Sequence, residues 1–288
     1  MRLLIALLWL LHFLPFPVLV AIGRGFGRLA WLIARDRRHV ALTNLRLCFP
    51  AMPEAEREAL AREHFCLVMR GLVERSLAWW AGAARMRRLV RIDGLEGLRE
   101  LAARQPVILL VPHFVGLDMV GTRLTMEVDI VSVYAAQKNP LFSRLLLRGR
   151  SRFGNQLMLS RQEGMRAAVK GMRDGRPFYY LPDQDFGARD ALFVPFFGVP
   201  AATITGLSRL ARLTGAAVVT CIARMLPGGQ GYVLDVGAPW ADFPGADVES
   251  DTRRMNAEIE RHVLAMPAQY NWVHKRFKTR PPGGQPLY

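Results

Sequence analysis

Cysteine is scarce in this 288-residue chain. Cys48, Cys66 and Cys221 are odd in number, far apart and never in Cys-x-x-Cys spacing, so neither a disulfide framework nor a zinc site is indicated and a reducing compartment fits best. Acidic residues also run short: 24 Asp and Glu stand against 39 Lys and Arg, a formal net charge of +15. That imbalance implies an anionic partner, and charge alone does not choose among nucleic acid, phospholipid headgroups, a phosphorylated glycolipid and an acidic carrier protein. Most of the positive charge is arginine, whose planar fork suits phosphate and carboxylate, although genome composition produces the same bias. There is no Gly-x-Ser-x-Gly elbow, and no cysteine has an orienting neighbour beyond the chance proximity of His64 to Cys66, so a covalent nucleophile is not offered. Internal repeats and low-complexity tracts are absent too.

What the chain does have is apolar residues, 51% of the total, enough to bury one sizeable core. Residues 3–22, LLIALLWLLHFLPFPVLVAI, are uncharged and close to the ~20 apolar residues that cross a bilayer. A cleaved signal peptide fits poorly, because Arg2 alone makes a thin basic region and no small-x-small site follows. Arg24, Arg28, Arg35, Arg37 and Arg38 downstream outnumber Arg2 upstream, which places the body of the protein in the cytoplasm by the positive-inside rule. The segment either spans the membrane or lies in the interface with its prolines kinking it. The expected organisation is an anchor over residues 1–23, a helical neck over 24–90 broken at Pro50 and Pro53, and an α/β domain over 91–288.

In that last part short apolar runs alternate with amphipathic helices: PVILLVPH (106–113), DIVSVYAA (129–136), PFYYLPD (177–183), AAVVTCIARM (216–225) and GYVLDVG (231–237). The alternation predicts an α/β sheet covered by helices. Ser160 and Glu163 form a capping-box pattern before a helix that stops at Gly175; further helices are expected over Thr203–Thr214 and Thr252–Ala265. The tail from Pro281 reads as loose.

The sharpest chemical feature is VILLVPHFVGLD, where a strand runs into His113, a glycine turn and Asp118. Polar groups at the C-terminal end of such a strand face the ligand crevice of α/β proteins. Were a helix to start near Phe114–Gly116, Asp118 in its first turn could reach back to one imidazole nitrogen and leave the other as a base. The plainer alternative is a capped histidine and an acid placed to suit the helix dipole. In NPLFSRLLLRGRSRFGNQ (139–156), Arg144 and Arg148 share a helix face while Arg150 and Arg152 point elsewhere; the run is either a solvated face or an anion clamp. YYLPDQDFG sets Asp183 and Asp185 at another strand end, as ordinary turn acids or as binding groups. The following ALFVPFFGVPAATITG suits an acyl-channel wall or plain core. NWVHKRFKTRP mixes Trp272 and Phe277 with Lys275, Arg276, Lys278 and Arg280, as a membrane interface or nucleic acid would like.

Taken in order, PHFVGLD, NPLFSRLLLRGRSRFGN, GMRAAVKGMRDGRPFYYLPDQDFG, FVPFFGVPAATITGLSRLARLTGAAVV and QYNWVHKRFKTRPPG resemble the late acyltransferases of lipid A biosynthesis in Gram-negative bacteria. His-x4-Asp is shared with glycerolipid acyltransferases generally, whereas PDQDFG and VHKRFKTRP are more specific to this family. The resemblance implies a mixed sheet of glycerolipid-acyltransferase type and an enzyme of the cytoplasmic face of the inner membrane. It implies acyl carrier protein thioester as donor. The acceptor would be a hydroxyl of a 3-hydroxyacyl chain on a lipid A precursor of the Kdo-lipid IVA type. By the same resemblance His113 is the base, Asp118 its partner, Arg150 and less directly Arg148 the groups facing phosphate or oxyanion, and Asp183 and Asp185 acidic support. No cofactor or metal is expected, and an anionic membrane surface is. Rival readings are acylation of a glycerophospholipid or aminolipid, a non-catalytic lipid-binding module, and a metal-dependent phosphohydrolase using His113, Asp118, Asp183 and Asp185. Nucleic acid is disfavoured because the charge is spread along the chain and the N-terminal segment is apolar.

Overall fold

The structure, a computed structural model, describes residues 2–135, 139–160 and 164–288. Five helices come first: α1 (Arg2–Leu11), α2 (Phe16–Ile33), α3 (Arg35–Cys48), α4 (Glu54–Trp80) and α5 (Ala83–Leu89). Prolines set the second start: Pro15 sits at the N-cap of α2 with Pro17 just inside, where a missing N–H costs nothing. The helix therefore begins at Phe16 and runs through residue 23, across the expected border between anchor and neck. Arg24 lies inside it, neutralised by Glu63 of α4 at 2.7 Å. Pro53 starts α4 in the same way, with Glu54 and Glu56 in its first turn complementing the dipole.

The remaining elements are β1 (Val90–Asp93), α6 (Leu95–Arg104), β2 (Val107–Leu110), α7 (Leu117–Leu124), β3 (Val131–Tyr134), α8 (Pro140–Arg150), β4 (Leu157–Ser160), α9 (Gly164–Arg173), β5 (Phe178–Tyr180), β6 (Ala191–Phe196), β7 (Val199–Ile204), α10 (Gly206–Thr214), β8 (Ala217–Met225), β9 (Tyr232–Pro239) and α11 (Val248–Ala265). Seven strands form one sheet in the order β1-β9-β8-β2-β5-β3-β4, mixed because β9 returns antiparallel to β8 while the other pairs are parallel. Covered on both faces, the central strand β2 is buried at all four residues, as a continuous Val-Ile-Leu-Leu run demands. The α/β expectation is met. Three pieces differ from the sequence reading. ALFVPF and VPAATI pair as a separate hairpin, β6 with β7, so α10 starts at Gly206 rather than Thr203. β1 and β4 are short added strands on the sheet's two edges. Beyond Pro281 the chain is pinned, because the Tyr288 hydroxyl bonds Asn44 and accepts from the Phe277 N–H at 3.1 Å. Glu163 of the expected capping box lies outside the described residues.

Candidate active site

β2 and β5 are parallel neighbours in register, Leu110 beside Tyr180, so the segments leaving their C-terminal ends emerge together. One carries His113 and the other Asp183. The Asp183 carboxylate accepts from the His113 backbone N–H at 2.8 Å and meets the ring at Nδ1, 2.6 Å away. Among the described residues no hydrogen bond is made to Nε2, and His113 lines the cavity described below. Burial works against the Asp183 charge, but His113's charge and its hydrogen bonds outweigh it and hold the carboxyl below its ordinary range. Tyr270 is a further partner of Asp183; burial and that negative neighbour push its phenol well above the usual tyrosine value. The loop after His113 is fixed by an antiparallel bridge between Phe114 and Tyr270 and by the Val115 N–H donating to Gln269 at 2.8 Å. Gly116 then turns the chain at φ +90, where a Cβ would meet the Tyr232 ring at 2.5 Å.

Asp118 does stand in the first turn of α7, but its oxygens are engaged away from the imidazole. Arg75 of α4 donates to Oδ2 at 2.5 Å and Arg150 of α8 to Oδ1 at 3.0 Å. Burial opposes its charge, and the two guanidinium groups overcome this to hold the Asp118 carboxyl well below the ordinary range. In this geometry the carboxylate bonded to the His113 ring is therefore Asp183 rather than the expected Asp118, which bridges two arginines. Helix α8 reaches the site because Asn139 caps it, accepting from the Phe142 N–H at 3.0 Å, and because Gly149 lets it close on α4: a Cβ there would lie 2.2 Å from Trp79 Cδ1. Arg150 faces inward; Arg148 is exposed and stands outside the cavity lining. Arg152 is structural, donating to the carbonyls of Trp79 (3.1 Å) and Ala81.

Asp185 serves a different end. Its carboxylate accepts from the Thr279 N–H at 2.6 Å, the Thr279 hydroxyl at 2.8 Å and the Gly187 N–H at 2.9 Å, and its own N–H donates to His274 Nε2 at 3.0 Å. Burial pushes His274 down to about 4, so the ring is neutral at pH 7 and can accept there. The mixed segment around it divides: Trp272 and Phe277 are core residues and Arg276 is buried on the Ala202 carbonyl and Thr203 hydroxyl, while Lys275 and Lys278 are exposed. His113 and Asp183 are thus paired with each other while Asp118 and Asp185 are engaged elsewhere, and among the described residues no group of three or more His, Cys, Asp or Glu is placed to share a metal.

A cavity of about 560 Å³ opens beside His113. Its lining combines the polar side chains of His113, Asp118, Arg75, Arg150 and Gln184 with apolar walls that include Ile130, Val133, Leu146, Met158 and Phe178. Leu72, Met165 and Phe186, three large apolar side chains left exposed, belong to the same lining, so its exposed part as well as its buried part favours hydrocarbon. Arg75 and Tyr270 escaped the sequence reading: Arg75 sits on a long helix with no local motif, and Tyr270 has no signal in sequence to link it with Asp183.

A family model for bacterial lipid A biosynthesis acyltransferases matches residues 1–279. The lipid A biosynthesis lauroyltransferase of Escherichia coli K12 is 38% identical over 97% of this chain and 91% of its own length. The palmitoleoyltransferase of the same strain is 33% identical over 99% and 92%, and its myristoyltransferase 34% identical over 93% and 82%. With the model covering nearly the whole chain and relatives above 30% identity along it, this protein belongs to the bacterial lipid A biosynthesis acyltransferase family.

Proposed function

We propose that the protein transfers a fatty acyl chain from an acyl carrier protein thioester to the hydroxyl of a 3-hydroxyacyl chain on a lipid A precursor, at the cytoplasmic face of the inner membrane. The observation that carries this reading is the Asp183–His113 pair, bonded through Nδ1, with His113 in the lining of a largely apolar cavity. Asp183 accepts from Nδ1–H, which fixes the tautomer and leaves the Nε2 lone pair for a substrate proton. The acceptor hydroxyl gives its proton to Nε2 as its oxygen bonds to the thioester carbonyl carbon. Collapse of the tetrahedral adduct breaks the C–S bond, and the imidazolium returns the proton to the departing thiolate, so ester and thiol are formed and the base is regenerated. An activated thioester needs no enzyme nucleophile, consistent with three buried cysteines. Arg75 and Arg150, aligned by Asp118, offer positive charge for a phosphate of the acceptor or the carbonyl oxygen in the adduct.

The test is His113→Ala, which removes the proton acceptor and little buried area. Acyl transfer is expected to fall by about 10²–10⁴ with folding intact. Turnover near that of the unaltered enzyme would sink the mechanism. Mass spectrometry of lipid A from a deletion strain and its complemented partner reads the proposed product directly: one additional ester-linked chain upon complementation.

A further inference from the structure

The N-terminal helices are fastened along α4 instead of projecting from the body. At Gly23 and Gly27 the backbones of α2 and α4 touch: a Cβ would lie 2.4 Å from Arg70 Cα and 2.3 Å from Cys66 Cα. Arg24 grips Glu63 with two hydrogen bonds of 2.7 and 2.9 Å, and Trp31 meets Phe65 edge-on at 5.4 Å. At the other end Phe16 meets Tyr232 of β9 at 6.5 Å, and Leu19 is fully buried. The elbow between α1 and α2 is held by Arg85, which donates to the carbonyls of His12 and Leu14.

The opposite side of the same helices is apolar and uncovered. On α2, Val18, Phe26, Leu29 and Leu32 are exposed at helical spacing; on α1, Leu3, Leu7 and Leu10 repeat at i, i+4 and i+7. At 18 residues, about 27 Å long, α2 is the one described helix that meets the length and apolarity needed to cross a bilayer. Its packing argues against crossing. A spanning α2 would carry the adjoining stretch of α4 into hydrocarbon, with Arg62, Glu63, Arg70 and Glu74. The far face of α4, bearing Val68, Leu72 and Arg75, lines the cavity, so that polar site and the sheet behind it would follow. Lying flat needs none of this. Arg28, Arg35 and Arg37 border the stripe at its C-terminal end and make no ion pair among the described residues, which suits anionic headgroups.

We propose that α1 and α2 form a monotopic foot that lies in one anionic phospholipid leaflet, with the outward stripe in the acyl layer and neither helix crossing to the other side. This inference stands independently of the acyl-transfer reading. The test uses the full chain in a Gram-negative host, with Arg2→Cys and Arg35→Cys made singly and the buried native cysteines as the background control. A membrane-impermeant maleimide is expected to label both positions in inverted inner-membrane vesicles and neither in intact spheroplasts. Labelling of either position from outside intact spheroplasts would put that position on the outer face, show that the segment between Arg2 and Arg35 crosses the membrane, and overturn the proposal. In a second arm, Leu29→Glu combined with Leu32→Glu is expected to abolish co-sedimentation with phosphatidylethanolamine–phosphatidylglycerol vesicles while far-UV circular dichroism is unchanged. Retained vesicle binding, with loss of a detergent-stable dimer, would assign the stripe to a second copy and equally overturn it.

Discussion

Exchanging Asp183 for Asn separates the two carboxylates that could serve His113. In the unaltered site one Asp183 oxygen takes the His113 N–H at 2.8 Å and the other faces Nδ1 at 2.6 Å. A backbone N–H can only donate, so the asparagine carbonyl must occupy that position and its NH₂ must face the ring. Nδ1 then becomes the acceptor and the ring proton moves to Nε2, the nitrogen that should receive the substrate proton. The protein keeps its shape and holds the wrong tautomer; in serine proteases an Asp→Asn change with this effect costs about 10⁴ in kcat. For Asp183→Asn a fall in kcat on the order of 10²–10⁴ is expected, with KM for the acceptor within about threefold. Asp118→Asn leaves the imidazole untouched and loosens Arg75 or Arg150, so it should raise acceptor KM more than it lowers kcat. Both are measured as transfer from acyl carrier protein thioester to a lipid A precursor across a range of pH. Near-normal kcat in Asp183→Asn, together with a collapse in Asp118→Asn, would refute the assignment of Asp183 as the orienting acid.

Arg150→Ala should raise acceptor KM by about 10- to 100-fold, while exposed Arg148→Ala stays within about twofold; equal effects would show that the inward position of Arg150 is irrelevant. Gly149→Val forces α8 from Trp79, where even a Cβ would lie at 2.2 Å; a loss of about 1–3 kcal/mol in thermal or urea unfolding should accompany reduced turnover as Arg150 moves. His64 and His274 are buried and pushed down to about 4, so the unfolded chain binds more protons than the folded one as pH falls from about 6.5 to 4. Their neutral burial should therefore be tolerated above pH 6.5 and cost up to about 3 kcal/mol each by pH 4, and His64→Gln should flatten the decline in the urea midpoint between pH 7 and 5. An unaltered slope in that variant would count against a neutral His64.

Long, strongly patterned elements were legible. Pro53 and the Glu-rich turn after it announce α4, and the apolar run at 107–110 could only be a buried strand. The N-terminal boundary was not, because hydropathy stops at Arg24 whereas the helix continues once Glu63, 39 residues away, neutralises it. The acidic partner of His113 was misplaced for a related reason. Sequence spacing offers Asp118, five residues on, but the register of β2 against β5 brings Asp183 from 70 residues away. Nothing in either strand reveals which parallel neighbour it will choose. The composition of the segment 271–281 was equally ambiguous: its aromatics and cations read as a surface until Trp272 and Phe277 are seen filling the core.

Those late residues give the fold an order of completion. The strands that carry His113 and Asp183 precede residue 184, yet the groups that steady the acids Asp183 and Asp185 come afterwards: Tyr270 beside Asp183, and His274 and Thr279 around Asp185. The same late segment is tied to α3 by the Trp272 backbone carbonyl, which accepts from the Asn44 side-chain amide at 2.7 Å. A ribosome delivers the bilayer-seeking helices first and these stays long after. During synthesis the chain thus has its exposed apolar stripe before the contacts that hold Asp183 and Asp185 in place, an order that, under the proposed function and the proposed foot, puts membrane contact ahead of turnover.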